Sequence, residues 1–139
     1  MTPVLYSCKT DAWKIADFGF TAQGSSRTAC NTENPRGTPG YRAPELVITG
    51  VFNNKSDIWT LGCVWFEVMS QEKAFNDDLT VRDFAYSAGR KTVTRTDGCW
   101  DDAMDCLLHT LLDADPTKRP SATELLDSFE ALFEDEKIE

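Results

Sequence analysis

Apolar residues recur every three to four positions in three stretches of the chain, and each stretch reads as a helix. In "SDIWTLGCVWFEVM" the positions 58, 61, 62, 65, 68 and 69 keep the rhythm, while Trp59, Val64 and Phe66 add apolar groups on other faces. A helix apolar nearly all round is a buried one. Ser56 and Asp57 stand at its start, where an acceptor side chain can bond orphan backbone N–H groups. "DDAMDCLLHTLL" sets Met104, Leu107, Leu108 and Leu111 on one face behind acidic starters. "DPTKRPSATELLDSFEALF" supplies a stop at Pro120, a capping box from Ser121 to Glu124, and a stripe of Leu125, Phe129, Leu132 and Phe133. These stripes are read as core and carry no chemistry.

Ahead of the helices, Val4 to Tyr6 and Trp13 to Ile15 are short β-prone runs, and the polar "SCKTDA" between them predicts a hairpin that ends just before Asp17. From Thr21 to Gly40 the composition shifts to Gly, Ser, Thr, Asn and Pro with no hydrophobic period, which predicts a long loop. A loop of that length in a compact domain calls for a functional reason. The terminal "EDEKIE" reads as a solvated tail, and there is no internal repeat.

Composition narrows the function classes. Of 139 residues, 41% are hydrophobic, enough for a core, and 14 basic against 23 acidic residues give a net charge of −9. Such a surface repels phosphate backbones and anionic bilayers, so neither nucleic acid nor membrane is expected as a partner. Cysteines at 8, 30, 63, 99 and 106 include no CxxC pair and no even-numbered framework, which predicts free thiols in a reducing, intracellular compartment, taken as the cytoplasm. His109 follows Cys106 by three residues, but two ligands fall short of the four of a structural zinc site, and His109 is read as an ordinary helix residue.

Chemistry enters at "KIADFGF", residues 14 to 20. Alone, Asp17 is best read as opening a turn, with Gly19 free to take positive φ. The sharper reading is a carboxylate at a strand end that holds Mg²⁺ against nucleotide phosphates. The rest of the chain decides between them: after DFG come the polar loop, "GTPGYRAPE" at 37 to 45, "SDIWTLG" at 56 to 62 and "DPTKRP" at 115 to 120. In that order and spacing these motifs resemble the C-terminal lobe of eukaryotic-type serine/threonine protein kinases, in which DFG and APE bracket the activation loop. The resemblance runs from about residue 4 to residue 133.

The resemblance implies a mainly α fold, a kinase C-lobe fragment with a short hairpin and DFG at 4–19, an activation segment at 20–45, a helical subdomain at 46–133 and a tail at 134–139. It implies ATP and Mg²⁺ as cofactors and phosphoryl transfer to Ser or Thr of a protein substrate. Asp17 would be the Mg²⁺ ligand, Phe18 the residue whose packing sets active and inactive states, and Gly19 the hinge. Ser25, Ser26, Thr28 and Thr32 would be candidate phosphoacceptors, each of them equally readable as a solvated loop hydroxyl. Thr38 would support catalysis beside the catalytic aspartate, with the Gly-Thr ahead of Tyr-x-Ala-Pro-Glu pointing to serine/threonine rather than tyrosine kinases. Glu45 would pair with Arg119 and fix the substrate-side loop to the helical base; without the resemblance they read as a surface Glu and a surface Arg. Asp57 would bond the backbone of the catalytic loop.

That loop, with its general base, is not found in the sequence, nor are a GxGxxG phosphate loop and the strand lysine. The resemblance therefore predicts an isolated chain without activity and with no tightly bound cofactor. Asp57 would lack its partner, and apolar surface would lie open on the helix of residues 56–70 for a partner to cover. The alternative is a non-catalytic, pseudokinase-like interaction module.

Overall fold

The computed structural model describes residues 4–16, 28–87, 89, 91 and 102–134, with side chains as far as residue 130. Two strands open the chain, β1 (Val4–Ser7) and β2 (Ala12–Ile15), paired antiparallel with Tyr6 opposite Trp13. Their rings lie 5.2 Å apart, the kind of cross-strand aromatic pair that steadies a hairpin. The turn between them places Asp11 in the left-handed region at φ 48°, which Asp tolerates better than most residues. Leu5, Trp13 and Ile15 are exposed, so the hairpin buries little of its apolar surface.

The long loop is not wholly irregular. β3 (Cys30–Asn31) pairs antiparallel with β4 (Val51–Phe52), and α1 (Pro44–Thr49) lies between them in the chain. Pro44 opens α1 at a position where a missing N–H costs nothing. Gly50 closes it at φ 70°, and a Cβ there would sit 2.4 Å from the Thr32 carbonyl oxygen. The same glycine thus ends the helix and lets β3 approach.

α2 (Asn54–Ser70) begins two residues before the expected start, because Asn53 rather than Ser56 or Asp57 is its cap. The Asn53 side chain accepts from the Lys55 N–H at 2.9 Å, and Ser56 Oγ accepts from the Asn53 N–H at 3.3 Å. Nor is α2 buried all round. Ile58, Trp59, Cys63 and Phe66 are enclosed, but Leu61 is 43% and Val68 58% exposed. α3 (Asp78–Tyr86) follows, with a capping box of its own from Asp77 to Thr80. Then come α4 (Asp102–Leu111) and α5 (Ala122–Glu134). The Ser121–Glu124 capping box forms, each backbone N–H donating to the other residue's side chain.

The core gathers around Trp59, which stacks on Phe75 at 5.3 Å and meets Phe84 edge-on, with Leu108 and Leu112 from the side of α4. Gly62 lets α4 come close: a Cβ there would stand 2.9 Å from Leu111 Cβ and Leu112 Cδ2. A second cluster joins Ile58, Leu111 and Leu125, with Trp65, Leu107 and Phe129 packed on it. The side chains of Leu132 and Phe133 lie outside the described residues. Among the described residues, no helix is long and apolar enough to cross a membrane. Cys8, Cys30, Cys63 and Cys106 take part in no disulfide among the described residues, and Cys99 lies outside them.

Candidate substrate-loop site

The densest polar construction in the described chain surrounds Arg119, whose side chain is fully enclosed. It follows the "DPTK" turn, in which Asp115 caps Thr117 through both the backbone N–H and the hydroxyl. Those bonds hold the Asp115 carboxyl below its usual range. The turn aims Arg119 back at α1. Its Nη1 and Nη2 each donate to one oxygen of Glu45 at 2.8 Å, a bidentate pair. The remaining donors go to backbone carbonyls, Nε to Asp113 at 2.7 Å and Nη1 also to Lys55 at 3.0 Å. Ser56 Oγ donates to Glu45 at 2.7 Å, and Lys55 Nζ returns to the Arg119 carbonyl at 2.6 Å. The guanidinium also lies 5.2 Å from the Trp59 ring. A buried ion pair offsets its desolvation only when every polar valence is met, and here the valences of both partners are met.

From this anchor the chain runs back through "GTPGYR". Gly40, at φ 83°, approaches the loop before α3 so closely that a Cβ would lie 2.5 Å from the Phe75 carbonyl oxygen. Its N–H donates to Asp78 at 3.1 Å. Arg42 bridges in two directions, with Nη1 on Asp78 at 2.7 Å and with Nε and Nη2 both on the Gly37 carbonyl, at 3.0 and 2.6 Å. Tyr41 donates its hydroxyl to Glu67, and that bond pushes the phenol up to about 12. Thr60 Oγ1 donates to the Tyr41 carbonyl at 3.0 Å. Residues 37–45 are thereby tied to α2, to α3 and to Arg119.

The residues singled out in the sequence fall unevenly on this frame. Glu45 and Arg119 meet. Thr38 is exposed, and its carbonyl accepts the Tyr41 N–H. Thr28 is exposed, while the Thr32 hydroxyl both donates to and accepts from the Asn34 backbone. Asp57 sits in the first turn of α2 with no described residue bonded to its carboxylate. Its surface area is largely open, yet the protein around the carboxyl desolvates it enough to raise its pKa. Asp17, Phe18, Gly19, Ser25 and Ser26 lie outside the described residues. Among the described residues no group of three or more His, Cys, Asp or Glu side chains could hold a metal ion.

Sequence reasoning passes over Arg42, Asp78, Lys55 and the Tyr41–Glu67 bond. One signal exists for the first: Arg42 is the only basic residue between Gly37 and Glu45, so its partners are worth seeking.

On the other side of α2, Leu61, Trp65 and Met69 join Met104 and Phe129 around an open apolar cavity of about 270 Å³.

Comparison with known proteins agrees with the motifs. Residues 2–129 match the protein kinase domain. The chain is 30% identical over 123 residues to serine/threonine-protein kinase nekl-2 of Caenorhabditis elegans, covering 88% of this chain and 34% of that protein. It is 32% identical to serine/threonine-protein kinase Nek9 of Mus musculus (88% and 12%) and 34% identical to serine/threonine-protein kinase Nek8 of Danio rerio (81% and 16%). It thus spans about a third of the length of the first of these relatives and less of the others. The match along nearly all of its length places the chain in the protein kinase domain family.

Proposed function

We propose that the chain is the activation-segment and helical-base part of a serine/threonine protein kinase domain, which transfers the γ-phosphoryl group of ATP to a protein hydroxyl. The observation that carries this reading is the bidentate Glu45–Arg119 pair, which fastens the "GTPGYRAPE" loop to the helical base. Phosphoryl transfer is catalysed almost wholly by positioning and electrostatics, so a substrate-side loop must be held still. Four further contacts serve that end, those of Arg42 and Gly40 to Asp78, Tyr41 to Glu67 and Thr60 to the Tyr41 carbonyl. The names of the relatives, serine/threonine kinases, favour the hydroxyl amino acids as acceptors. The resemblance sets Thr38 beside the catalytic aspartate, and its exposure is consistent with that role.

Mg²⁺ and ATP come to this chain through Asp17 of DFG, and that assignment rests on the sequence alone. The 139 residues contain no His-Arg-Asp catalytic loop, so they are proposed to transfer no phosphate by themselves.

The test is label transfer from ATP to Ser-, Thr- and Tyr-containing peptides by the full-length protein. Transfer to Ser or Thr that disappears in Asp17→Asn is the expected result. Transfer to Tyr alone, or transfer untouched by Asp17→Asn, would overturn the reading.

A further inference from the structure

α3 begins beside two aspartates that do different work. Asp77 caps the helix: its side chain accepts the Thr80 N–H at 2.8 Å, and Thr80 Oγ1 accepts the Asp77 N–H at 3.2 Å. The capping role is thus filled without Asp78. Both oxygens of Asp78 serve the loop of residues 37–45 instead, Oδ1 accepting the Gly40 N–H at 3.1 Å and Oδ2 accepting from Arg42 Nη1 at 2.7 Å. The carboxylate is presented from a helix turn that its own cap holds still.

Gly40 and Arg42 flank Tyr41, and Tyr41 is held by α2, its hydroxyl by Glu67 and its carbonyl by Thr60. Residues 40–42 are therefore clamped between α2 and α3. At Gly40, apolar packing contributes little to the clamp, because a Cβ would already stand 2.5 Å from the Phe75 carbonyl oxygen and backbone laid on backbone has no side chains to interlock. Directional bonds fix the spacing there. They are charge-assisted, and the Arg42 and Asp78 side chains are only 19% and 28% exposed, so water competes less than it does for a surface pair. Through Arg42, which also holds the Gly37 carbonyl, the grip of Asp78 extends along the loop as far as residue 37.

We infer that Asp78 is a positioning residue for phosphoryl transfer, keeping residues 37–42 in one arrangement through Gly40 and Arg42. The inference rests on the kinase reading and adds to it a residue outside the motifs that identify the family. A loop released from Asp78 would have to be ordered again whenever an acceptor peptide binds, and the apparent affinity falls by the fraction of molecules that are competent. ATP binding carries no such cost.

The experiment measures KM for an acceptor peptide and for ATP separately in the full-length protein. Asp78→Ala is expected to raise the peptide KM by about tenfold, the scale of one hydrogen bond to a charged group, and to leave the KM for ATP in place. Asp78→Asn keeps an oxygen for the Gly40 N–H and should fall between Asp78→Ala and wild type; being isosteric, it reports even if Asp78→Ala fails to fold. Thr80→Ala weakens the same helix start without touching the loop, so it should lower the melting temperature and leave both KM values unchanged. A loss of folded protein alone lowers kcat with both KM values intact, and that pattern in the Asp78 variants overturns the inference. So does a peptide KM that rises as much in Thr80→Ala as in Asp78→Ala, or one that moves in neither. In all three cases a wild type that transfers phosphate leaves the kinase reading standing. A wild type that transfers to no peptide removes that reading, and the inference with it.

Discussion

The two sides of α2 solve opposite problems. Towards α1 and Arg119, it is polar and closed: Ser56 bonds Glu45, the Lys55 carbonyl accepts from Arg119, and Trp59 packs under the guanidinium. On the other side, Leu61, Trp65 and Met69 border an open apolar cavity, and Val68 is more than half exposed. One helix therefore carries both the most saturated polar site and an exposed apolar strip. Sensitivity to substitution should follow saturation rather than hydrophobicity. An enclosed charge cannot recover its hydration when its partner is removed, whereas an apolar side chain already in water has little burial to lose.

The largest effect should come from the closed side. Arg119→Ala leaves Glu45 with only Ser56 and should destabilise the 139-residue chain by ~3–5 kcal/mol in urea unfolding. A loss under about 1 kcal/mol, the range of an exposed pair, would erase the contrast. Gly62→Ala comes next, because its Cβ must displace Leu111 and Leu112 on a helix contact that has no room. Overpacking of this kind costs about 1–3 kcal/mol, and the melting temperature checks it.

Tyr41 gives a pH signature of the same closed side. Its phenol is raised above the ordinary value of 10.0 to about 12, chiefly by the bond to Glu67. A raised folded pKa means that the stability it contributes is complete below about pH 10 and drains away as the pH climbs towards 12. Wild type should accordingly lose more stability than Tyr41→Phe between those two values. Unfolding followed at a series of alkaline pH values measures this, and parallel curves would count against a folded-state role for the bond.

The smallest effect belongs to the open side. Leu61→Ser and Val68→Ser should each change stability by no more than about 0.5 kcal/mol while lowering self-association in sedimentation runs. Losses as large as that of Gly62→Ala would show that this strip is covered in solution.

Legibility in the sequence follows the same division. α2, α4 and α5 are readable because each carries a stripe several turns long. α1 and α3 are not: α1 has six residues and starts at a proline, and α3 has nine residues of mixed character with Val81 its one buried residue. β3 and β4 are two residues each, and no local pattern marks them. They exist because Gly50 lets residues 30–32 lie beside 50–52. Composition locates the long loop but hides the order at its end, which is pinned by contacts from 19 to 38 residues away in sequence. In the site, Glu45 and Arg119 can be named together through the motifs that surround them. The Arg42–Asp78 bridge cannot, because neither residue's spacing signals the other and the contact depends on how Gly37 and Gly40 turn the chain.

The central claim is that Glu45 and Arg119 act as one unit fastening the loop of residues 37–45 to the helical base. A double-mutant cycle measures it directly, with urea unfolding of wild type, Glu45→Ala, Arg119→Ala and the double variant. The double variant is predicted to lose less than the sum of the two single losses, by about 1 kcal/mol or more, within the range found for residues sharing one network. Additive losses would contradict the claim, for they would mean that the two side chains, 2.8 Å apart here, do not depend on each other in solution.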